Sequence, residues 1–192
     1  MRPFEGIRVL DITHVLAGPF AAYQLAVLGA DVIKIDHPTD PDQARWSGAD
    51  EDLNDANMGT WFLTQAANKR SITLDLKHPD GQAAFKRLVA TADVVVENYR
   101  PGAFEEMGLG WDVLRAINPR LIYSSMSAFG QTGPRSRQTA YDQAIQATSG
   151  VMTMQGSPEF TPMKSGPASI DYATGTFGAF ALAAALFQRE KT

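Results

Sequence analysis

The sequence has no cysteine among its 192 residues. Disulfides, thiolate nucleophiles, Cys-ligated zinc and iron–sulfur clusters are thereby excluded. Histidine is scarce: His14, His37 and His78 are scattered and lack the HExxH spacing of a catalytic zinc, so no metal site is expected. Positive charge is not in excess either. With a formal net charge of −4, the chain has no general attraction to nucleic acid or anionic membrane, and an anionic ligand must be held by local cations. The segment Met1–Gly6 carries no apolar signal core. The most apolar stretch, Phe177 to Phe187, is too short to span a bilayer and reads as a buried helix. A cytoplasmic enzyme with neither membrane nor nucleic-acid partner is the expectation. Three signatures are also missing: GxGxxG after the first strand, GxxxxGK[ST], and the GxSxG elbow.

What is present is globular. Hydrophobic residues make up 44% and charged residues 20%, enough for one domain with its own core. Short β-branched runs mark strands at Gly6–Ile12, Asp31–Asp36, Ser71–Asp75, Asp93–Glu97 and Leu121–Met126. Helical patterns lie between and after them: Phe20–Leu28 with Pro19 in its first turn, Trp61–Ala67, Asp80–Thr91, Trp111–Ile117, Tyr141–Ser149 and Asp171–Glu190. The polar stretch His37–Asn57 reads as a long loop, and Met152–Pro167 as mostly loop. Strand–helix–strand order of this kind predicts an α/β fold with an open, mostly parallel, Rossmann-like sheet and flanking helices.

Such sheets bind ligands outside the carboxyl ends of their strands. That rule selects His14-Val15-Leu16-Ala17, Asp36-His37, Asn98-Tyr99-Arg100 and Ser127-Ala128-Phe129. Cations near these segments, namely Lys69, Arg70, Lys77, Arg100, Arg135 and Arg137, are candidates to meet phosphates, although isolated surface cations are usually just solvated. Asp171 opens the last helix. The commonest role for such an Asp is a helix cap. A carboxylate at a helix N-terminus is also stabilised as an anion, which suits a nucleophile toward a thioester carbonyl. Gly175 and Gly178 leave room for a ligand or a neighbouring helix. His14 suits a general base or a backbone-bonded structural role. Tyr141 and Asp142 begin a helix and are candidate caps.

Ordered motifs then run from Phe4 to the last residue. They are Leu10-Asp11-Ile12-Thr13-His14-Val15, Leu28-Gly29-Ala30-Asp31-Val32-Ile33-Lys34-Ile35, Asn68-Lys69-Arg70-Ser71-Ile72-Thr73-Leu74-Asp75 and Ala92 through Gly102. The turn Gly130-Gln131-x-Gly133-Pro134 and Asp171-x-x-x-Gly175 complete the set. In these the chain resembles the family III CoA-transferases, a superfamily that includes formyl-CoA transferase, carnitine-CoA transferase and α-methylacyl-CoA racemase. Members of that family are considerably longer and form interlocked homodimers. The resemblance therefore implies that residues 1–192 are the N-terminal part of the large CoA-binding domain, without the small domain and the returning segment.

The resemblance implies an enzyme that moves coenzyme A between an acyl-CoA and a small carboxylic acid, with Asp171 carrying an aspartyl-CoA thioester and with no permanently bound cofactor. It implies CoA contacts at His14, Val15, Ala17, Leu74, Lys77, Asn98 and Tyr99, to which the strand-end rule adds Arg100. Leu16, Trp61, Tyr141 and Asp142 are expected in the substrate pocket. There are departures. Leu16 replaces a glutamine of formyl-CoA transferase, which argues against formyl-CoA or oxalate as substrate. His37 and Glu106 replace arginines that contact CoA there, leaving Arg45 and Arg100 as the available substitutes. Tyr141 stands where the racemases have a catalytic histidine, and a tyrosine hydroxyl, titrating near ~10, is a poor base at neutral pH. That favours a transferase over the two alternatives, a 2-methylacyl-CoA racemase or epimerase and a non-catalytic CoA-binding fragment.

Overall fold

The computed structural model describes residues 1–192. Five strands form one sheet: β1 (Arg8–Ile12), β2 (Asp31–Asp36), β3 (Lys69–Thr73), β4 (Val94–Glu97) and β5 (Ile122–Ser125). Their order is β3-β2-β1-β4-β5, and every adjacent pair is parallel. The expected Rossmann-like α/β sheet is therefore present. Strand order reverses between β1 and β4, which places a crevice outside the carboxyl ends of those two strands. The helices are α1 (Ala17–Val27), α2 (Glu51–Asp55), α3 (Thr60–Ala66), α4 (Pro79–Val89), α5 (Ala103–Glu106), α6 (Trp111–Ile117), α7 (Asp142–Thr148) and α8 (Ser169–Arg189).

The central strands are apolar throughout because both faces of the sheet are covered. On one face Leu10, Ile33 and Val95 pack with Phe85 of α4, Phe104 of α5 and Leu114 of α6. On the other, Val9, Val32, Val94 and Val96 pack with Ala22 and Leu25 of α1 and Leu182 and Leu186 of α8. Each of these buried Val, Leu, Ile and Phe side chains contributes roughly 1.5–3 kcal/mol. The contact between α1 and α8 is close enough to require a glycine. A Cβ on Gly175 would lie 2.6 Å from the Ala17 carbonyl oxygen and 3.0 Å from the Phe20 ring. This packing fixes Asp171, one helical turn away, beside the N-terminus of α1.

Several expectations need correction. The span 37–57 is not one loop: it contains a 3₁₀ turn at Gln43–Trp46 and helix α2, each started by an aspartate side chain, Asp42 on the Ala44 amide and Asp50 on the Leu53 amide. A second 3₁₀ turn, Val151–Met154, interrupts the stretch expected to be mostly loop. Helix α1 begins at Ala17, three residues earlier than expected, and α5 was not foreseen. Strand β3 begins at Lys69, directly after Asn68 in a left-handed conformation (φ 63°). Helix α8 begins at Ser169, so Asp171 is its third residue and not its cap. The stretch Phe177–Phe187 is not fully buried. The helix buries Gly175, Leu182 and Leu186 but leaves Phe177, Phe180 and Phe187 exposed. With 21 residues, α8 is long and apolar enough to cross a membrane by length and composition alone, whereas its inner face packs as a core helix does.

Candidate active site

The crevice is built from the turn that leaves β1. Asn98, just past β4, clasps this turn: its Oδ1 accepts from the His14 amide at 2.8 Å and its Nδ2 donates to the His14 carbonyl at 2.9 Å. The His14 ring meets the Tyr99 hydroxyl at 3.1 Å. Val15 follows with φ at 68°, a strained conformation for a β-branched residue. The strain is held from outside. Asp42 Oδ1 accepts from the Val15 amide at 2.9 Å. In the orientation that satisfies both ends of its amide, Gln65 donates to the carbonyls of Val15 (3.2 Å) and Leu16 (3.1 Å).

Beneath the turn lies a buried charge network. Lys34 Nζ sits 2.9 Å from Asp36 and 3.7 Å from Asp42, with all three side chains at most 2% exposed. Lys69 pairs with Asp11 at 2.7 Å, and Arg45 with Asp36 at 2.7 Å. Burial alone would push the Asp11 and Asp36 carboxyls up, but the adjacent cations override it and hold both below the usual carboxylate range. Burial, reinforced by Lys34, lowers the His14 imidazole, so His14 is neutral at pH 7. Burial drives the Tyr99 hydroxyl up to about 12, with help from Asp36 and Glu97.

Asp171 has a different environment. The first-turn amides of a helix lack intrahelical partners, and here Asp142 supplies them. Its Oδ1 accepts from the amides of Ile170 at 2.8 Å and Asp171 at 3.1 Å, while Gln146 donates to its other oxygen. The helix end is thus already neutralised, and the Asp171 carboxyl is left uncapped beside a second carboxylate. Burial, and then the Asp142 charge, raise it to about 6. Burial and the Asp142 charge thus work against the anion stabilisation expected of a helix terminus.

Two clefts meet at Asp171. The first, about 470 Å³, is lined by His14, Val15, Leu16, Ala17, Asn98, Tyr99, Arg100, Tyr141 and Asp171 among others. The second, about 650 Å³, is lined by Val15, Leu16, Trp61, Tyr141, Asp142 and Asp171, together with Gln43, Thr64, Gln65 and Lys164. Leu16 and Tyr141 belong to both, and Gln43 Nε2 donates to the Tyr141 hydroxyl at 3.1 Å. Most of the expected site residues are therefore brought together. Leu74 and Lys77 line neither cleft: Leu74 packs against the core, and Lys77 lies in the turn after β3 with its amide on Asp75. Of the other cations expected to meet phosphate, Arg137 lines neither cleft, and the rest are committed elsewhere. Lys69 is buried against Asp11, and Arg70 pairs with Asp31 at the opposite, amino end of the sheet. Arg135 stacks on Phe129, and Arg45 is held by Asp36. Arg100 lines the first cleft but pairs with Glu106 at 2.6 Å. Sequence reasoning missed Asp42, Gln65 and Lys164. Only Asp42, placed to cap the turn after it, carried a local signal.

Comparison with known proteins gives the family. The family model for CoA-transferase family III matches residues 4–192. The succinyl-CoA–L-malate CoA-transferase beta subunit of Chloroflexus aurantiacus is 44% identical over 191 residues, covering 99% of this chain and 46% of that protein. The succinyl-CoA:glutarate CoA-transferase of Mus musculus is 44% identical over 192 residues, covering 100% of this chain and 43% of that one. A CAIB/BAIF family protein from Brucella suis superposes with a TM-score of 0.90 at 36% identity, covering 99% of this chain and 50% of that chain. A hypothetical protein of Mycobacterium tuberculosis does so with a TM-score of 0.88 at 38% identity, covering 99% and 51%. The chain spans about half the length of the relatives it matches. By family model, sequence identity and fold together, the chain belongs to CoA-transferase family III.

Proposed function

We propose that the protein transfers coenzyme A from an acyl-CoA to a carboxylic acid, with Asp171 as covalent carrier. The observation that carries this reading is an uncapped, half-buried carboxyl at the seam of two clefts, raised to about 6 by burial and by Asp142. At pH 7 such a group is about nine-tenths ionised, yet it is a stronger nucleophile than an ordinary carboxylate.

The chemistry balances without redox or proton input. An Asp171 carboxylate oxygen attacks the thioester carbonyl; the C–S bond breaks and CoA leaves as thiolate, giving a mixed anhydride. The thiolate then attacks the Asp171 acyl carbon. The anhydride C–O bond breaks, the donor acid departs as carboxylate, and CoA remains on Asp171 as a thioester. An acceptor carboxylate attacks that thioester and releases the thiolate again. The thiolate attacks the acceptor acyl group and restores the Asp171 carboxylate. Each step exchanges one activated acyl bond for another.

The first cleft, at the β1/β4 switch point, suits CoA. The turn from His14 to Ala17 is its floor, Asn98 and Tyr99 hold that floor in place, and Arg100 is the cation at its rim. We extend the proposal to an interlocked homodimer, in keeping with relatives about twice as long; sedimentation of the enzyme as encoded by its natural gene tests it. The relatives named for succinyl-CoA with glutarate or L-malate make dicarboxylic acids the first substrates to assay. Replacing Asp171 by Asn in that enzyme is expected to abolish CoA transfer. Transfer retained at the wild-type rate contradicts the reading, as does α-proton exchange on acyl-CoA without any acid exchange.

A further inference from the structure

The two clefts differ in character. In the first, 10 of 19 lining residues are hydrophobic; in the second, 6 of 17 are. The second is lined by neutral hydrogen-bonding side chains, among them Gln43, Thr60, Thr64 and Ser165, and it has one Lys or Arg, Lys164. Lys164 makes no ion pair, and in particular none with Asp171 or Asp142, whereas Arg100 of the first cleft is already paired. The acidic neighbours do not compete for it. Asp142 is satisfied by two amides and Gln146. Asp171 carries no charge while it is esterified to CoA, which is when an acceptor acid must enter. An unpaired ammonium in a polar cleft is the ordinary partner of a carboxylate.

A reacting carboxylate must lie about 3–3.5 Å from the Asp171 acyl carbon. Lys164 lines the same cleft as Asp171 without pairing with it. A dicarboxylic acid, of the kind for which the relatives above are named, presents one carboxylate to the Asp171 acyl carbon and leaves a second for Lys164. We infer that the second cleft is the acid site and that Lys164 binds the far carboxylate of a short dicarboxylic acid, selecting it over a monocarboxylic acid of equal length. This rests on the transferase reading above.

The test uses the enzyme as encoded by its natural gene, one common acyl-CoA donor, and glutarate and pentanoate as acceptors. Wild type is expected to prefer glutarate in kcat/KM. Lys164→Gln is expected to cut that preference at least tenfold, and Lys164→Arg to keep most of it. Lys164 is exposed, so neither change threatens folding; a melting curve for each variant verifies this. A wild-type enzyme without the preference, or a Lys164→Gln variant whose preference stays within twofold of wild type, overturns the inference. Equal losses for both acids also overturn it, by assigning Lys164 to CoA. Trapping of the Asp171 adduct is read in parallel. An adduct in wild type with no effect at Lys164 refutes the acid site alone; no adduct and no transfer with either acid refutes the transferase reading and the site together.

Discussion

Asp142→Asn separates the two causes that raise Asp171. Asparagine keeps an oxygen to accept from the Ile170 and Asp171 amides but removes the negative charge beside Asp171. The Asp171 carboxyl stands at about 6 against an ordinary 3.8, a rise of about 2, with burial the larger cause and Asp142 the smaller. Asp142 therefore accounts for less than half of it, up to about one pH unit. In wild type the kcat/KM for the donor acyl-CoA is expected to rise with pH through about 6 and then level off, because in the proposed reaction the nucleophile is the carboxylate. In Asp142→Asn the same limb moves down by up to about one pH unit. At pH 5 the variant then reaches up to about half of its own plateau, where wild type reaches about a tenth. The plateau itself falls, because the less basic carboxylate is the weaker nucleophile. The variant also loses stability, by about 1–3 kcal/mol, since charge-assisted bonds become neutral ones and the new amide nitrogen meets the Gln146 donor. The assay is a steady-state pH profile from pH 4.5 to 8. An acid limb that stays put or moves upward refutes the electrostatic account of Asp171.

Other outcomes follow from the same contacts. Because the Asp171 pKa is raised in the folded state, its contribution to stability is fully present below about 3.8 and is lost as pH rises through about 6. Asp171→Asn is therefore expected to melt about 2–4 °C above wild type at pH 8, for about 1 kcal/mol after solvent screening of a partly exposed carboxyl, with the gain vanishing near pH 4; calorimetry at both pH values checks this. Asp42→Ala removes the anchor of the strained Val15 amide and one partner of buried Lys34, and should cost about 3 kcal/mol in denaturant unfolding. Gly175→Ala forces apart α1 and α8 and should cost about 1–3 kcal/mol while lowering kcat, because Asp171 rides on the same helix.

Much of the fold was legible in the sequence for local reasons. The runs at Val9–Ile12, Val32–Ile35 and Val94–Val96 are buried on both faces, so they read as parallel strands without needing partners to interpret them. The strand-end rule then found His14, Asn98, Tyr99 and Arg100. What escaped was set by distant chain. Helix α8 starts two residues before Asp171 because Asp142, 29 residues away, accepts from its amides. Arg70 looked like a phosphate ligand until the register Ile33↔Arg70 placed it near the amino end of the sheet beside Asp31. Lys69 sits one residue earlier and turns inward to Asp11. The cleft containing Lys164 exists only because α3, the Gln43–Trp46 turn and the loop before α8 converge, which no local pattern announces.

The central claim is that CoA becomes covalently attached to Asp171. Incubating the enzyme with an acyl-CoA donor, quenching, digesting and mapping by mass spectrometry tests it directly. The account predicts a CoA thioester on the peptide bearing Asp171, dischargeable by hydroxylamine or by an acceptor acid and absent in Asp171→Asn. A CoA adduct on another residue contradicts the account, and so does CoA transfer that proceeds at full rate with no adduct at Asp171.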